Sequence, residues 1–172
     1  MKTGKIHVII TGGTLDSYYD GAKDTVVPAK QSGLQNFFEI AGIAGRIIFT
    51  QICLKDSRQL NKADIKKVLK AIEKSPCKKF IVTHGTYTMP DTSRFLKANL
   101  KSKNKTVILT GSMIPLSGFS PSDAPFNLGY AISKLEVLQP GIYICMNAKT
   151  FTPEEVAKNM AKGKFYSIFG EK

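Results

Sequence analysis

Short apolar runs alternate along the chain with segments whose apolar residues recur every three or four positions. Five runs are brief, rich in β-branched residues and nearly continuous in hydrophobicity: Ile6 to Ile10, Ile47 to Cys53, Phe80 to Thr83, Val107 to Thr110 and Ile142 to Met146. Strands buried on both faces read this way. Between them, Ile65, Val68, Leu69 and Ile72 keep the i, i+3, i+4, i+7 spacing of a helix with one buried face, predicting a helix over 62–74. Lys62, Lys66 and Lys70 take its wet side. Leu128, Ala131, Ile132 and Leu135 repeat the pattern over 124–138, ahead of a Pro140-Gly141 stop. Pro90-Asp91 opens another helix, with Phe95, Leu96 and Leu100 inward. Weaker helical patterns cover 33–41 and 153–162.

Strands that alternate with helices predict a parallel sheet covered on both faces. The fold class expected is α/β: a doubly wound, mainly parallel sheet in a three-layer, Rossmann- or flavodoxin-like arrangement. No repeat, linker or low-complexity stretch divides residues 1–172, so a single domain is expected. Ligands of such sheets bind beyond the carboxyl ends of the strands. That is where the polar motifs fall.

Thr11-Gly12-Gly13-Thr14 follows the first strand. Paired glycines permit a sharp turn and a close ligand approach, and Thr14 would present a hydroxyl at the sheet edge. A simple tight turn explains the same residues. The motif lacks the third glycine of a dinucleotide fingerprint and the lysine of a phosphate loop, so neither cofactor is indicated. Thr83-His84-Gly85-Thr86-Tyr87-Thr88-Met89 follows the third strand and precedes a helix. Its hydroxyls cluster at a helix N-terminus, which favours a carboxylate, although Thr88 could equally be a plain cap. His84 has no partner at metal spacing and reads as structural or orienting. After the fourth strand come Thr110-Gly111-Ser112-Met113 and then Ser122-Asp123, either of which could cap the next helix.

Composition changes this picture little. The 172 residues carry a net charge of +12, with 25 Lys and Arg against 13 Asp and Glu. A lysine-coated surface is the plain reading. Arginine, the usual residue for bidentate base contacts, occurs only as Arg46, Arg58 and Arg94, which argues against specific nucleic-acid readout. No apolar run reaches the roughly 20 residues of a bilayer span. The apolar stretch after Lys2 and Lys5 breaks at Thr11-Gly12-Gly13, too early for a signal peptide. Cys53, Cys77 and Cys145 form no CxxC pair and are read as reduced, in a cytoplasmic protein.

Taken in order, the motifs resemble the bacterial-type L-asparaginase family. The Thr-Gly-Gly-Thr turn of that family matches Thr11 to Thr14, and its His-Gly-Thr-Asp-Thr-Met signature matches His84 to Met89 at all but one position. The stretch Val107 to Asn127 is similar as well. The resemblance covers nearly the whole chain but only the N-terminal domain of the two-domain enzymes, and so points to a short-chain, single-domain member.

The resemblance implies an amidohydrolase with L-asparagine as first candidate substrate, a small-molecule amide as its partner, and no metal or organic cofactor. It implies Thr14 as nucleophile, Thr86 as second catalytic threonine and Lys158 as its paired lysine. Tyr19 would stand beside the nucleophile. Ser57 would bind the carboxylate end of the substrate, and the backbone at Gly13 and Gly85 would supply oxyanion donors. Tyr87 stands where the family has an aspartate for the substrate's α-ammonium group. Without a C-terminal domain, a homo-oligomer (a dimer or higher) would close the site. A catalytically silent amino-acid-binding module is the rival expectation.

Overall fold

The five apolar runs become five parallel strands because each offers side chains to two cores at once. The computed structural model describes residues 4–170; Lys2 and the ends of the chain lie outside them. The strands are β1 (Ile6–Gly12), β4 (Ile47–Lys55), β5 (Lys79–Thr83), β6 (Thr106–Thr110) and β7 (Gly141–Met146). Along β1 and β5, Ile9, Phe80 and Val82 face one core, while Ile6, Val8, Ile10 and Ile81 face the other.

Helices cover both faces. On the first face, α2 (Lys62–Lys74) inserts Val68 and Ile72, and α3 (Met89–Asn99) inserts Leu96. On the second, α1 (Leu34–Ile40) contributes Leu34 and Phe38, and α4 (Ala124–Leu135) contributes Leu128, Ala131 and Leu135. This is the three-layer α/β arrangement that the alternation predicts. A short sixth strand, β8 (Lys149–Phe151), adds antiparallel to β7. Two hairpins, β2 (Ser17–Asp20) with β3 (Thr25–Pro28) and β9 (Val156–Asn159) with β10 (Lys164–Ser167), stand apart from the main sheet.

Two sequence expectations are corrected here. The helix expected over 153–162 is a hairpin strand, because Val156 to Asn159 pair with Lys164 to Ser167. That hairpin ladder overrides the helix propensity of the Glu-Glu-Val-Ala-Lys stretch. Asp123 sits at the head of α4 but makes no capping bond there. Its carboxylate accepts instead from the backbone N–H groups of Met113 and Ile114 at 2.9–3.1 Å.

The strand order is β4-β1-β5-β6-β7-β8. Counted among the parallel strands alone it is 2-1-3-4-5, so the winding reverses between β1 and β5. A crevice opens beyond the strand ends at such a switch point. The carboxyl end of β1 runs into Thr11–Thr14 and the turn after β5 is His84–Tyr87, and the topology therefore brings the two sequence motifs together. No helix among the described residues is long and apolar enough to cross a membrane.

Both ends of α2 are closed by side chains. Asn61 and Asp64 form a reciprocal capping box at its start. At its end the buried Lys105 donates to the carbonyls of Ile72 at 2.5 Å, Ser75 at 2.8 Å and Glu73 at 3.3 Å, with its ammonium over the Phe80 ring. Lys105→Met keeps the apolar stem and removes the donor, leaving these carbonyls unpaired in a buried setting. The expected loss is about 2–3 kcal/mol. It should show in urea unfolding as a lower midpoint with an unchanged slope.

Candidate functional site

Four strand ends are laced together at the crevice. Thr11 Oγ1 donates to the Thr83 carbonyl at 2.7 Å, joining β1 to β5. The Gly13 N–H donates to the Lys55 carbonyl at 2.8 Å, joining the first turn to the end of β4. The His84 N–H donates to the Thr110 carbonyl at 2.9 Å and extends the ladder toward β6. Gly13 adopts φ 84°, in the left-handed region, and a Cβ there would fall on the Gly85 backbone. Gly85 in turn packs on Ser57, where a Cβ would lie 2.7 Å from the serine Cβ. The two motif turns thus meet backbone to backbone, with no side chain between them.

Above this floor lies a cleft of about 250 Å³ lined by Thr14, Ser57, Thr86, Met113, Lys158 and the Asp56–Arg58–Tyr87 rim. Larger concavities lie elsewhere, among them about 640 Å³ beside Ile48 and Pro76. None of these larger concavities is lined by residues of the two sequence motifs, as this cleft is.

Thr14 opens a short 3-10 turn (Thr14–Asp16) and is partly exposed. Thr86 is buried, and its hydroxyl accepts a hydrogen bond from Lys158 Nζ at 2.7 Å and lies 3.7 Å from Met113 Sδ. The strand form of β9 makes the first contact possible. Residues two apart share a face of a strand, so Lys158 follows Val156, which is buried in the core beside α3. Desolvation, and then repulsion by Arg58, hold the Lys158 amine below lysine's ordinary 10.5, while Asp56 pulls weakly the other way.

Ser57 is buried at the head of a one-turn 3-10 helix capped by Asp56. Its carbonyl accepts from Thr88 Oγ1 at 3.0 Å, and its Oγ accepts from the Thr88 N–H at 3.4 Å. Thr88 therefore anchors Ser57 to the second turn and makes no capping bond to α3.

His84 is fully buried beneath the cleft. Its Nδ1 donates to the Gly85 carbonyl at 2.7 Å, so its Nε2 accepts from Thr92 Oγ1 at 2.9 Å. Burial pushes its pKa down to about 4 from 6.5. Between those values the unfolded chain binds a proton that the folded chain refuses. The His84 contribution to stability is intact above pH 6.5 and is lost as pH falls toward 4, by about 3 kcal/mol in all. Urea midpoints of parent and His84→Gln at pH 7 and pH 4.5 should diverge accordingly, with the variant losing less on acidification.

The structure places Thr14, Ser57, Gly85, Thr86, Tyr87 and Lys158 along the cleft, with Gly13 packed against Gly85 at its base. Tyr19 it does not bring in. That residue lies on the exposed β2–β3 hairpin, where its hydroxyl donates to Asp24. Sequence reading assigns no role to Asp56, Arg58 and Met113, which line the cleft. The Lys55-Asp56-Ser57-Arg58 run was the available signal: opposite charges flanking a candidate serine at a strand end. Among the described residues no group of three His, Cys, Asp or Glu side chains could hold a metal ion.

A family profile described as "Asparaginase, N-terminal" matches residues 5–166. Among similar proteins, a probable periplasmic L-asparaginase of Haemophilus influenzae is 30% identical over 89% of this chain and 46% of its own length. The L-asparaginase of Thermococcus kodakarensis is 29% identical over 95% of this chain and 51% of its own. Among solved structures, a probable cytoplasmic L-asparaginase from Campylobacter jejuni superimposes with a TM-score of 0.82 at 27% identity, covering 96% of this chain and 53% of that one. The chain thus spans about half the length of the relatives it matches.

Proposed function

The chain belongs to the asparaginase family, and on that premise we propose that the cleft hydrolyses a small amide, with Thr14 as nucleophile and L-asparagine as first candidate substrate. The observation that carries the reading is the 2.7 Å contact between Lys158 Nζ and Thr86 Oγ1 in the cleft that Thr14 also lines. A threonine hydroxyl is a weak nucleophile without a base. A lysine amine held below its usual range is a base that works nearer neutrality.

In this reading Thr14 Oγ attacks the amide carbon while its proton passes through Thr86, or a water, to the neutral Lys158 amine. The carbonyl oxygen becomes an oxyanion. The Gly13 N–H already serves Lys55, which leaves the amides of Thr14, Gly85 and Thr86 as the donors proposed for it. Collapse breaks the C–N bond, the proton returns to the leaving nitrogen, and ammonia departs. Water then attacks the acyl-threonine, with Lys158 again taking the proton; the C–Oγ bond breaks, the proton returns to Thr14 Oγ, and the carboxylic acid is released. Tyr19, bonded to Asp24, has no part in these steps. Three free cysteines fit a reducing compartment such as the cytoplasm, and a homo-oligomer would shelter the open rim.

The test is an ammonia-release assay over asparagine, glutamine and simple amides, run beside calorimetric binding of the same compounds. Turnover of at least one of them is expected. Amino-acid binding without ammonia would replace the hydrolase reading with that of a binding module.

A further inference from the structure

The charges around the cleft do not suit a zwitterion. Its lining holds a permanent cation, Arg58, the Lys158 amine and one carboxylate, Asp56. That carboxylate is already engaged on both oxygens: Oδ1 accepts from Arg58 N–H at 2.8 Å and Nε at 2.9 Å, and Oδ2 from a terminal guanidinium nitrogen at 3.3 Å. Arg58 is fixed twice, since its guanidinium also lies 5.7 Å from the centroid of the Tyr87 ring. A guanidinium has five N–H donors, so this one keeps donors beyond those given to Asp56. Tyr87, half-exposed beside it, brings no anion. The remaining lining, Thr14, Ser57, Gly85, Thr86 and Met113, is neutral.

We infer that Arg58 makes this a site for amides that carry a carboxylate and no free ammonium group, such as the monoamides of dicarboxylic acids. The inference rests on the hydrolase reading for turnover, but not for binding. An ammonium on the substrate would enter a rim already occupied by a guanidinium whose counter-ion is taken. A carboxylate would find a planar, charge-assisted donor held in place by Asp56 and the Tyr87 ring. Arg58 and Lys158 line the same cleft, which brings the guanidinium charge to its reacting end. Specificity of this kind comes as much from the penalty on the wrong charge as from the new contact.

The experiment compares succinamic acid with L-asparagine, which differ only in the α-ammonium group, using parent, Arg58→Gln and Tyr87→Asp proteins. Parent is expected to favour succinamic acid by at least about tenfold in kcat/KM, roughly one decade per 1.4 kcal/mol of discrimination. Arg58→Gln frees Asp56, and Tyr87→Asp adds a carboxylate. Each should shift the ratio toward asparagine by about tenfold or more. Taking the ratio within one protein cancels any change in Lys158 basicity. Calorimetry with the product-like pair, succinate and L-aspartate, reads the same preference without turnover. Preferential succinate binding with no ammonia from any amide would sink the hydrolase reading and keep this one. Equal or better use of asparagine by parent, a ratio unmoved by Arg58→Gln, or binding of neither dicarboxylate would overturn the inference and leave the hydrolase reading to its own assay.

Discussion

Thr14→Ala is expected to lower amide turnover by three or more orders of magnitude, the scale of loss when a covalent nucleophile is removed. The side chain is partly exposed at the mouth of the turn, and the backbone of that turn is held by Gly13 and Ser17. Little core volume leaves with the methyl and hydroxyl groups, so the unfolding midpoint should stay close to that of the parent. Thr14→Ser keeps the hydroxyl and should retain much more activity than the alanine variant. Single-turnover assays with the three proteins separate the chemical step from binding. An alanine variant that turns over at near-parental rate while folded would remove Thr14 from the mechanism.

Lys158→Met should cost about 10²- to 10⁴-fold in kcat/KM, the range for a positioned general base. The methionine keeps the stem that follows Val156 along β9 and removes only the amine. The pH profile is the sharper measurement. Only the unprotonated amine can accept the Thr14 proton, so parental kcat/KM should rise with pH. Desolvation and Arg58 make deprotonation easier, which places the inflection below 10.5. Lys158→Met should flatten that rising limb. A profile unchanged in the variant would show that the limb belongs to another group.

The five parallel strands were legible because each carries its own signal: a short β-branched run bounded by turn residues. The site was legible in part for the same reason, since Thr11–Thr14 and His84–Tyr87 follow directly from strand ends. Lys158 was not. It lies in a stretch with helix-forming neighbours, and its place on a strand depends on pairing with residues 164–167, which no local pattern announces. The resemblance identified the residue, and only the hairpin explains its reach to Thr86. Tyr19 failed in the opposite way. The resemblance placed it beside Thr14, but β2 pairs with β3 and turns the ring toward Asp24. Arg58 could be counted in the sequence but not aimed, because its direction is set by Asp56 two residues earlier and by Tyr87 from another strand end.

The backbone contact between Gly13 and Gly85 also limits how such a cleft can be remodelled. Its base contains no side chain to exchange, and adding one carbon would push apart the two strand ends that set the spacing of Thr14 from Thr86. Any redesign for a new substrate is therefore confined to the rim, at Asp56, Arg58, Tyr87 and Met113. Libraries restricted to those four positions should yield folded proteins with shifted preferences, whereas libraries that include Gly13 or Gly85 should yield mostly inactive ones.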